Sequence, residues 1–319
     1  MDLSVFFAGT GGSVPSARRG LPAVLVQRGG DHVLFDCGEG TQRQLVRSVG
    51  LPELSDVFVT HFHADHWLGL PGMLKTFDLR GRERPLAVHG PPGLRQMLSL
   101  LGGVYGRLGY ALDVVELEPG QEVKRDGYTV AAFDVRHRSP AYGYALWEDE
   151  RPGRLDSDEA QRRGVPFGPD LGRLQRGETV NGVSPGDVMG PPRPGRKIVL
   201  SGDTAPCESL ALAAHEADVL VHEATFAEEE AERARRTGHT TARQAATAAR
   251  DAGVKLLALT HLSTRYGGGE LRAEAEAVFP ATVVPRDFDT IEIPLPERGE
   301  PVLRRWEGQA PQPEQPVPS

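Results

Sequence analysis

The heptapeptide THFHADH, residues 60–66, contains three of the ten histidines of the chain and one aspartate. It follows the short apolar run DVFV, which predicts a strand. His61 and His63 are two residues apart, so in an extended backbone their side chains point the same way and can serve one metal ion. Asp65 and His66 follow where the chain turns towards a helix, and they can serve a second ion.

Four side chains do not complete two metal sites, so the remaining ligands must come from other strand ends. Three candidates stand where apolar runs end: His137 after AAFDVR, Asp203 after KIVLSG and His261 after LLALT. A single histidine at a strand end is usually structural. Seven metal-capable side chains at such ends form a pattern that packing alone does not require, and we expect a two-metal centre built from them.

The composition bounds the class of protein. The 319 residues suffice for one large domain or two modest ones, and 39% hydrophobic residues suffice for a core. No apolar run reaches 18 residues, so no spanning helix is expected. The start, MDLSVFFAGTGG, reads as a strand rather than a basic export signal, which predicts a cytoplasmic protein with Cys37 and Cys207 as free thiols. A net charge of −8 argues against a broadly basic surface but leaves room for a local basic patch.

Short strands alternate with helix-like segments in both halves of the chain, which indicates an α/β or α+β fold. Residues 148–195 interrupt this alternation, are rich in Gly, Pro and Arg, and have little apolar periodicity. They read as a long solvated connection, although a loop of this length is often functional. Six arginines against four acidic residues between Arg151 and Arg176 make it locally basic. Residues 307–319 are Pro- and Gln-rich and are predicted to form a disordered tail.

The His-x-His-x-Asp-His motif, with a later histidine, a Gly-Asp pair and a final histidine, resembles the metallo-β-lactamase superfamily over about residues 1–300. The resemblance implies an αββα sandwich as a catalytic domain over residues 1–306, with an inserted arm at about 148–195. It also implies two zinc ions, with manganese as the other candidate, along one edge of the sandwich. The first ion would be held by His61, His63, His137 and Asp203. The second would be held by Asp65, His66, Asp203 and His261.

Segments outside the metal ligands are similar to the ribonuclease Z family, endonucleases that remove the 3′ trailer from precursor tRNA. In chain order they are FDCGEGTQ at 35–42, GDTAPC at 202–207, HEATF at 222–226, GHTT at 238–241 and HLSTRY at 261–266. One such segment would be a weak signal, but five in the same order are specific. The resemblance implies cleavage that leaves a 3′-hydroxyl on the tRNA and a 5′-phosphate on the trailer.

Two-metal cleavage of RNA needs one group that accepts the proton of the attacking water and another that protonates the leaving ribose oxygen. Asp65, between the two ions, is the candidate proton acceptor. His239 is the candidate donor, since it lies between a helix that ends at Gly238 and one that opens with the capping-box pattern TARQ. A helix N-terminus disfavours imidazolium, so a carboxylate is needed beside His239, and Glu223 is the candidate. The family resemblance implies the same two roles.

The arginine-rich insertion is the expected reader of tRNA, since shape recognition relies on contacts to backbone phosphates. In the family an arm at this location carries a Gly-Pro motif, grips the tRNA elbow and acts across a homodimer, and FGPDLGRLQRGETV is similar to it. The resemblance implies precursor tRNA as partner, a homodimer, and tRNA contacts by Gly168, Pro169, Arg173 and Arg176.

The first loop, residues 10–20, differs from the family pattern Pro-x-Lys-x-Arg-Asn. It keeps Pro15 and Arg19 but lacks the lysine and the asparagine, so Arg18 is expected to supply the missing charge to the tRNA. Arg265, two residues after Ser263, is either a contact to substrate phosphate or part of a structural cap. The departure leaves open how a mature tRNA end is rejected.

Two other functions stay open at this point. A small-molecule hydrolase of the same superfamily, such as a phosphodiesterase, lactonase or sulfatase, would share the metal ligands. It would not need the arginine-rich insertion or the HEATF and GHTT segments. A non-catalytic RNA-binding or scaffold protein on this fold would normally lack metal ligands, whereas this chain keeps all seven candidates.

Overall fold

The computed structural model describes residues 1–308 of the chain. Of the tail predicted at 307–319, residues 309–319 lie outside the described residues. The chain divides into two units: one contains Met1–Val123, Val130–Leu146 and the residues from Lys197 onwards, the other Lys124–Thr129 and Trp147–Arg196. Within the described residues, no helix is both long and apolar enough to cross a membrane.

Eight strands of the described chain form the first sheet: β1 (Leu3–Gly9), β2 (Ala23–Arg28), β3 (Asp31–Phe35), β4 (Asp56–Phe58), β5 (Leu86–Gly90), β6 (Leu112–Glu116), β14 (Thr290–Glu292) and β15 (Val302–Arg304). Their spatial order is β15-β14-β1-β2-β3-β4-β5-β6. The pairs from β15 to β3 are antiparallel, and those from β3 to β6 are parallel, so the sheet is mixed.

Seven strands of the described chain form the second sheet: β7 (Glu122–Arg125), β8 (Tyr128–Asp134), β9 (Tyr142–Glu148), β10 (Lys197–Leu200), β11 (Val219–Glu223), β12 (Leu256–Thr260) and β13 (Thr282–Val283). Their spatial order is β13-β12-β11-β10-β9-β8-β7, and β10 to β13 run parallel. Parallel strands end at the same edge of a sheet, so the residues after β10, β11 and β12 are brought together.

The two sheets pack face to face through aromatic side chains. Tyr144 of the second sheet lies with its ring centroid 5.8 Å from that of Phe35 and 5.1 Å from that of Phe58, both in the first sheet. Its buried hydroxyl donates a hydrogen bond of 2.8 Å to the carbonyl of Val59, which satisfies the one polar atom that this contact buries. The face-to-face core therefore lies directly beneath the THFHADH segment, which follows Val59.

The helices are α1 (Thr41–Arg47), α2 (Ala64–Trp67), α3 (Leu70–Leu79), α4 (Leu94–Leu100), α5 (Gly102–Tyr105), α6 (Ser157–Arg162), α7 (Pro169–Gln175), α8 (Pro185–Val188), α9 (Glu208–Ala214), α10 (Ala231–Thr237), α11 (Ala242–Ala252) and α12 (Gly268–Glu276). Short 3₁₀ turns occur at Glu228–Glu230 and Pro296–Arg298. Two of the helices illustrate how the sequence directs packing on the sheets.

Helix α3 buries Leu70, Met73, Leu74 and Phe77, a spacing that places all four on one face. Helix α11 buries five alanines at the same kind of spacing, from Ala242 to Ala252, so its backbone can approach the second sheet closely. Its start is fixed by a capping box between Thr241 and Gln244, and α10 ends at Gly238 in the left-handed conformation. Both ends agree with the sequence expectation around His239.

The second unit has its own small core, although its sequence shows little apolar periodicity. Seven buried aliphatic side chains form this core: Ala160, Val165, Leu171, Leu174, Val180, Val183 and Val188. Its two chain ends meet where Arg151 and Arg193 pair through two backbone hydrogen bonds of 2.8 Å. A buried ion pair of 2.7 Å between Arg196 and Glu148 lies nearby in the same unit. The insertion is thus a folded unit with three short helices and not a plain solvated connection.

Candidate metal centre and active site

The seven predicted ligands converge at the ends of four strands in the first unit. The segment His61–His66 follows β4 of the first sheet, whereas His137, Asp203 and His261 follow β8, β10 and β12 of the second sheet. Their ligand atoms form groups in which every pair of atoms lies within 4.8 Å. One group contains His61, His63, His137 and Asp203, and another contains Asp65, His66 and His261.

The first group surrounds a common point near the surface. His61 Nε2 lies 2.8 Å from His63 Nδ1, and His137 Nε2 lies 3.3 Å from the same atom. Asp203 Oδ2 lies 3.8 Å from His61 Nε2. His61 and Asp203 are buried while His63 is exposed, so the group is open to solvent on one side.

The second group lies deeper and shares Asp203 with the first. Asp203 Oδ1 lies 3.4 Å from His66 Nε2 and 3.3 Å from His261 Nε2. Asp65 Oδ2 lies 3.6 Å and 3.3 Å from the same two nitrogens. The two oxygens of Asp203 thus face different groups, as a bridging carboxylate requires.

Each of four histidines has its second ring nitrogen held by a hydrogen-bonding partner. Nδ1 of His61 contacts the hydroxyl of Thr60 at 3.0 Å, and Nδ1 of His66 contacts Asp36 at 2.7 Å. The same nitrogen of His137 donates to the carbonyl of Gly238 at 2.8 Å. Nδ1 of His261 contacts the hydroxyl of Thr225 at 2.8 Å. These contacts fix the ring orientations, so that Nε2 points into the cluster in all four cases.

The donor set fits divalent metal ions. Among the described residues, the buried atoms His66 Nε2 and Asp203 Oδ1 have no hydrogen-bond partner. A buried polar atom without a partner costs free energy, and bound metal would remove that cost for both atoms. Five imidazoles with two carboxylates are a donor chemistry typical of zinc sites.

Asp65 is fixed from the first loop as well as from its own segment. The backbone N–H of Ser13 donates to Asp65 Oδ2 over 2.7 Å. Gly12 packs so closely on His261 that a Cβ atom at Gly12 would lie 2.4 Å from its Nδ1 atom. This loop is in turn held by Asp287, whose carboxylate accepts hydrogen bonds from the backbone N–H groups of Thr10 and Gly20.

His239 and Glu223 form a pair beside the ligands. His239 Nδ1 lies 2.8 Å from Glu223 Oε1 and 3.9 Å from Asp203 Oδ2. Glu223 is 1% exposed, and it also accepts hydrogen bonds from the backbone N–H of Thr204 and the hydroxyl of Thr225. Burial lowers the pKa of His239, but the neighbouring Glu223 carboxylate outweighs it and raises that pKa to about 9. Glu223 thus favours the charged form of the imidazole, the form that can donate a proton.

The predicted tRNA contacts lie in several places. In the first unit, Arg18 and Arg265 are exposed, and Arg265 forms an ion pair of 3.4 Å with Glu230. Arg19 is half-buried and donates hydrogen bonds to the hydroxyl of Thr10 and the carbonyl of Pro285.

In the second unit, Gly168 caps the start of α7 and Pro169 is its first residue. Arg173 forms ion pairs with Asp170 and Glu178, and Arg176 lies 3.6 Å from Glu178. Both arginines are exposed and partly neutralised by these acids. Phe167, beside the Gly-Pro pair, is 76% exposed. An exposed aromatic ring with arginines in the same unit suits contact with nucleic acid.

Several groups in the site were not singled out from the sequence. Thr60 and Thr225 orient two ligand histidines, and the Ser13 N–H orients Asp65. Both threonines stand inside the quoted segments THFHADH and HEATF, so their position was a usable signal. The role of Ser13 comes from its backbone N–H, which every residue except proline carries, so its sequence gives no sign of it.

Comparisons with known proteins agree with this geometry. Residues 31–262 match the model of the beta-lactamase superfamily domain. The chain is 45% identical over 300 residues to ribonuclease Z of Methanosarcina acetivorans, which covers 92% of this chain and 98% of the relative. It is 46% identical over 303 residues to ribonuclease Z of Myxococcus xanthus, again covering 92% and 98%. The crystal structure of human tRNase Z, short form, matches with a TM-score of 0.68 and 29% identity over 92% of this chain and 100% of that one. The predicted αββα sandwich is confirmed.

Proposed function

The chain belongs to the ribonuclease Z family within the beta-lactamase superfamily, and on this premise we propose a mechanism by which it removes the 3′ trailer from precursor tRNA. It is a hydrolytic endoribonuclease of tRNA 3′ processing, as predicted from its sequence segments. The observation that carries the mechanism is the pairing of a seven-ligand cluster with the His239–Glu223 pair at the same strand ends.

The cofactors of this proposal are two zinc ions, with manganese as the other candidate. His61, His63, His137 and Asp203 would hold one ion, and Asp65, His66, Asp203 and His261 the other. When bound, such ions supply Lewis-acid chemistry that makes a water acidic near neutral pH and neutralises charge on the phosphate. The support is the donor set and the two buried atoms His66 Nε2 and Asp203 Oδ1, which face each other at 3.4 Å without forming a hydrogen bond.

Asp65 orients the attacking water and accepts its proton. Its Oδ2 atom is held by the Ser13 N–H and faces the nitrogens of His66 and His261, so the carboxylate has one fixed orientation. Burial raises the pKa of Asp65, but His261 and His66 together hold it below its usual range, so the group is ionised. Its fixed, ionised oxygen can accept a hydrogen bond from the attacking water and then that water's proton.

His239 protonates the leaving ribose oxygen. It is charged through its contact with Glu223, and its side chain is 12% exposed, so a substrate can reach it. Nδ1 faces Glu223, so Nε2 is the atom that donates its proton to the 3′-oxygen as the bond between that oxygen and phosphorus breaks. The tRNA then ends in a free 3′-hydroxyl, and the phosphate stays on the trailer. Glu223 keeps the imidazole oriented and stabilises its charged form.

The tRNA is also contacted by residues that are not metal ligands. The proposed contacts are Arg18, Arg19 and Arg265 in the first unit, and Gly168, Pro169, Arg173 and Arg176 in the second. In this proposal the second unit, residues about 148–195, contacts the tRNA body, and two chains act as a cytoplasmic homodimer. The tRNA contact of the second unit is supported by the local concentration of arginines and by the exposed Phe167.

A small-molecule hydrolase of the same superfamily is not favoured. The chain shares about 45% identity with ribonuclease Z relatives over nearly their full length, and it carries the HEATF and GHTT segments that supply Glu223 and His239. A small substrate with a good leaving group would require neither residue. A non-catalytic scaffold has no need for the intact ligand cluster.

The test is to incubate the purified protein with a precursor tRNA and to map both new ends. Expected products are a tRNA with a 3′-hydroxyl and a trailer with a 5′-phosphate. The metal content of the same sample should be close to two zinc or manganese ions per chain. Intact precursor after incubation of a metal-loaded sample would refute the proposed function.

A further inference from the structure

A second concave surface lies in the first unit, beside the metal cluster. It is a cleft of about 870 Å³, and five arginines are among the residues that line it: Arg18, Arg19, Arg272, Arg286 and Arg305. Tyr266 and the backbone of Gly267–Gly269 complete part of the wall. None of the described residues that line the cleft is acidic. In a chain with a net charge of −8, this concentration of positive charge points to an anionic ligand.

One wall of the cleft is continuous with the metal cluster. Leu262, which lines the cleft, directly follows the ligand His261 and pairs with Gly11 across the cleft wall. The loop that carries Gly11 also carries Ser13, whose N–H contacts Asp65. A ligand in the cleft therefore lies next to the Asp65 and His261 group.

The arginines of the cleft are only partly neutralised by the protein. Arg272 pairs with Glu276, and Arg305 pairs with Asp289. Neither Arg18 nor Arg286 has an ion-pair partner among residues 1–308, and both are exposed. Burial lowers the pKa of Arg19; Asp287 and Asp289 oppose this shift, while Arg286 and Arg305 add to it. A bound phosphate would give the exposed guanidinium groups of Arg18 and Arg286 an anionic partner.

We propose that this cleft binds the backbone phosphates of the trailer, the single strand on the 3′ side of the cut. The proposal rests on the proposed function and assigns a binding site to the trailer, one of the two products of precursor tRNA cleavage. The cleavage leaves a 5′-phosphate on the trailer and an uncharged 3′-hydroxyl on the tRNA, so the trailer end is the one that needs extra cationic partners. Arginine pairs with phosphate through two parallel hydrogen bonds, and such contacts do not read the base.

The size and lining of the cleft agree with a short single strand. A cleft of about 870 Å³ lies within the size range of small-ligand sites, which suits a few unpaired nucleotides. A Cβ at Gly268 would lie 3.1 Å from Arg19 Nη2, so the glycine stretch and Arg19 lie side by side in the cleft wall. Tyr266 supplies an aromatic side chain to the same wall.

The experiment compares Arg272→Ala/Arg286→Ala with the control Arg298→Ala, an exposed arginine that does not line the cleft. The first readout is the Kd of a fluorescent, 5′-phosphorylated RNA hexanucleotide. The double variant should bind at least about tenfold more weakly, and the slope of log Kd against log salt should fall by about 0.7 for each phosphate that no longer pairs with an arginine. The control should match the wild-type protein. Equal binding by the double variant and the wild type would overturn the proposal.

The second readout uses precursor tRNAs with trailers of one and six nucleotides. For the double variant, the loss of kcat/KM should be about tenfold greater with the six-nucleotide trailer than with the one-nucleotide trailer. Equal losses with both trailers would place the arginines on the tRNA body or in folding, and would overturn the proposal. Failure of the wild-type protein to cut either precursor would instead count against the proposed function, because hexanucleotide binding is measured without cleavage.

Discussion

Ser13 donates its backbone N–H to Asp65 Oδ2 over 2.7 Å, and Ser13 has a φ of 61°, in the left-handed region. A residue other than glycine or asparagine rarely adopts this conformation, so the loop holds Ser13 there against its preference. Asp287 stabilises this loop conformation, because its carboxylate accepts hydrogen bonds from the backbone N–H groups of Thr10 and Gly20. The proposed proton acceptor is thus oriented by a loop that is anchored more than 200 residues away in sequence.

Asp65→Asn should reduce activity by more than its loss of metal explains. The amide keeps an oxygen of similar position but cannot take up a proton as the carboxylate does, so kcat should fall by about 10²–10⁴-fold. Zinc content and kcat on precursor tRNA are measured together at increasing zinc. Recovery of wild-type kcat once the metal sites are saturated would show that Asp65 acts only as a ligand.

His239→Ala should keep the metals and lose RNA cleavage by about 10²–10⁴-fold, because the leaving ribose oxygen must be protonated. Bis(p-nitrophenyl) phosphate has a leaving group that departs without a proton, so its hydrolysis should change little. The ratio of the two rates is the measurement. Equal losses on both substrates, with metal retained, would contradict the role of His239 as a proton donor.

Gly12→Ala should displace the metal ligand His261. The added Cβ would lie 2.4 Å from His261 Nδ1, so either the ring or the first loop must move. We expect less bound zinc and lower activity. Gly30→Ala is the matched control, because a Cβ at Gly30 meets nothing within 4 Å. Equal zinc content in the two variants would contradict this close contact.

Excision of the second unit should separate RNA recognition from the chemistry. Arg151 and Arg193 are direct partners, so a two-residue glycine-serine linker can replace residues 152–192. The shortened protein should keep its zinc and its hydrolysis of bis(p-nitrophenyl) phosphate but lose most cleavage of precursor tRNA. Undiminished tRNA cleavage would remove the second unit from the proposed recognition surface.

The metal ligands could be predicted from the sequence because the ends of strands can be recognised there. Apolar runs predict strands, and a histidine or aspartate directly after such a run is a local signal. His61, His66 and Asp203 could therefore be named before their geometry was known. The capping box at Thr241 and the glycine at Gly238 likewise placed His239 between two helices.

Other parts of the site have no local signal. The contact from Ser13 to Asp65 is made by a backbone N–H and joins residues that are far apart in sequence. The cleft collects Arg18, Arg272 and Arg305 from three separate segments, and a charge count along the chain cannot bring them together. The small core of the second unit has no sequence signal because its aliphatic residues are spread over short helices and turns that show no regular period.

The ligands come from both sheets, since His61–His66 follow a strand of the first sheet and the others follow strands of the second. Bound ions would therefore act as a cross-link through the sandwich, and any ligand that binds only the folded state raises its stability by mass action. The fraction of molecules that hold metal would then determine how long the protein survives as well as how active it is. A molecule without metal would be both inactive and an easier substrate for proteases, so metal scarcity would lower the number of enzyme molecules as well as their turnover.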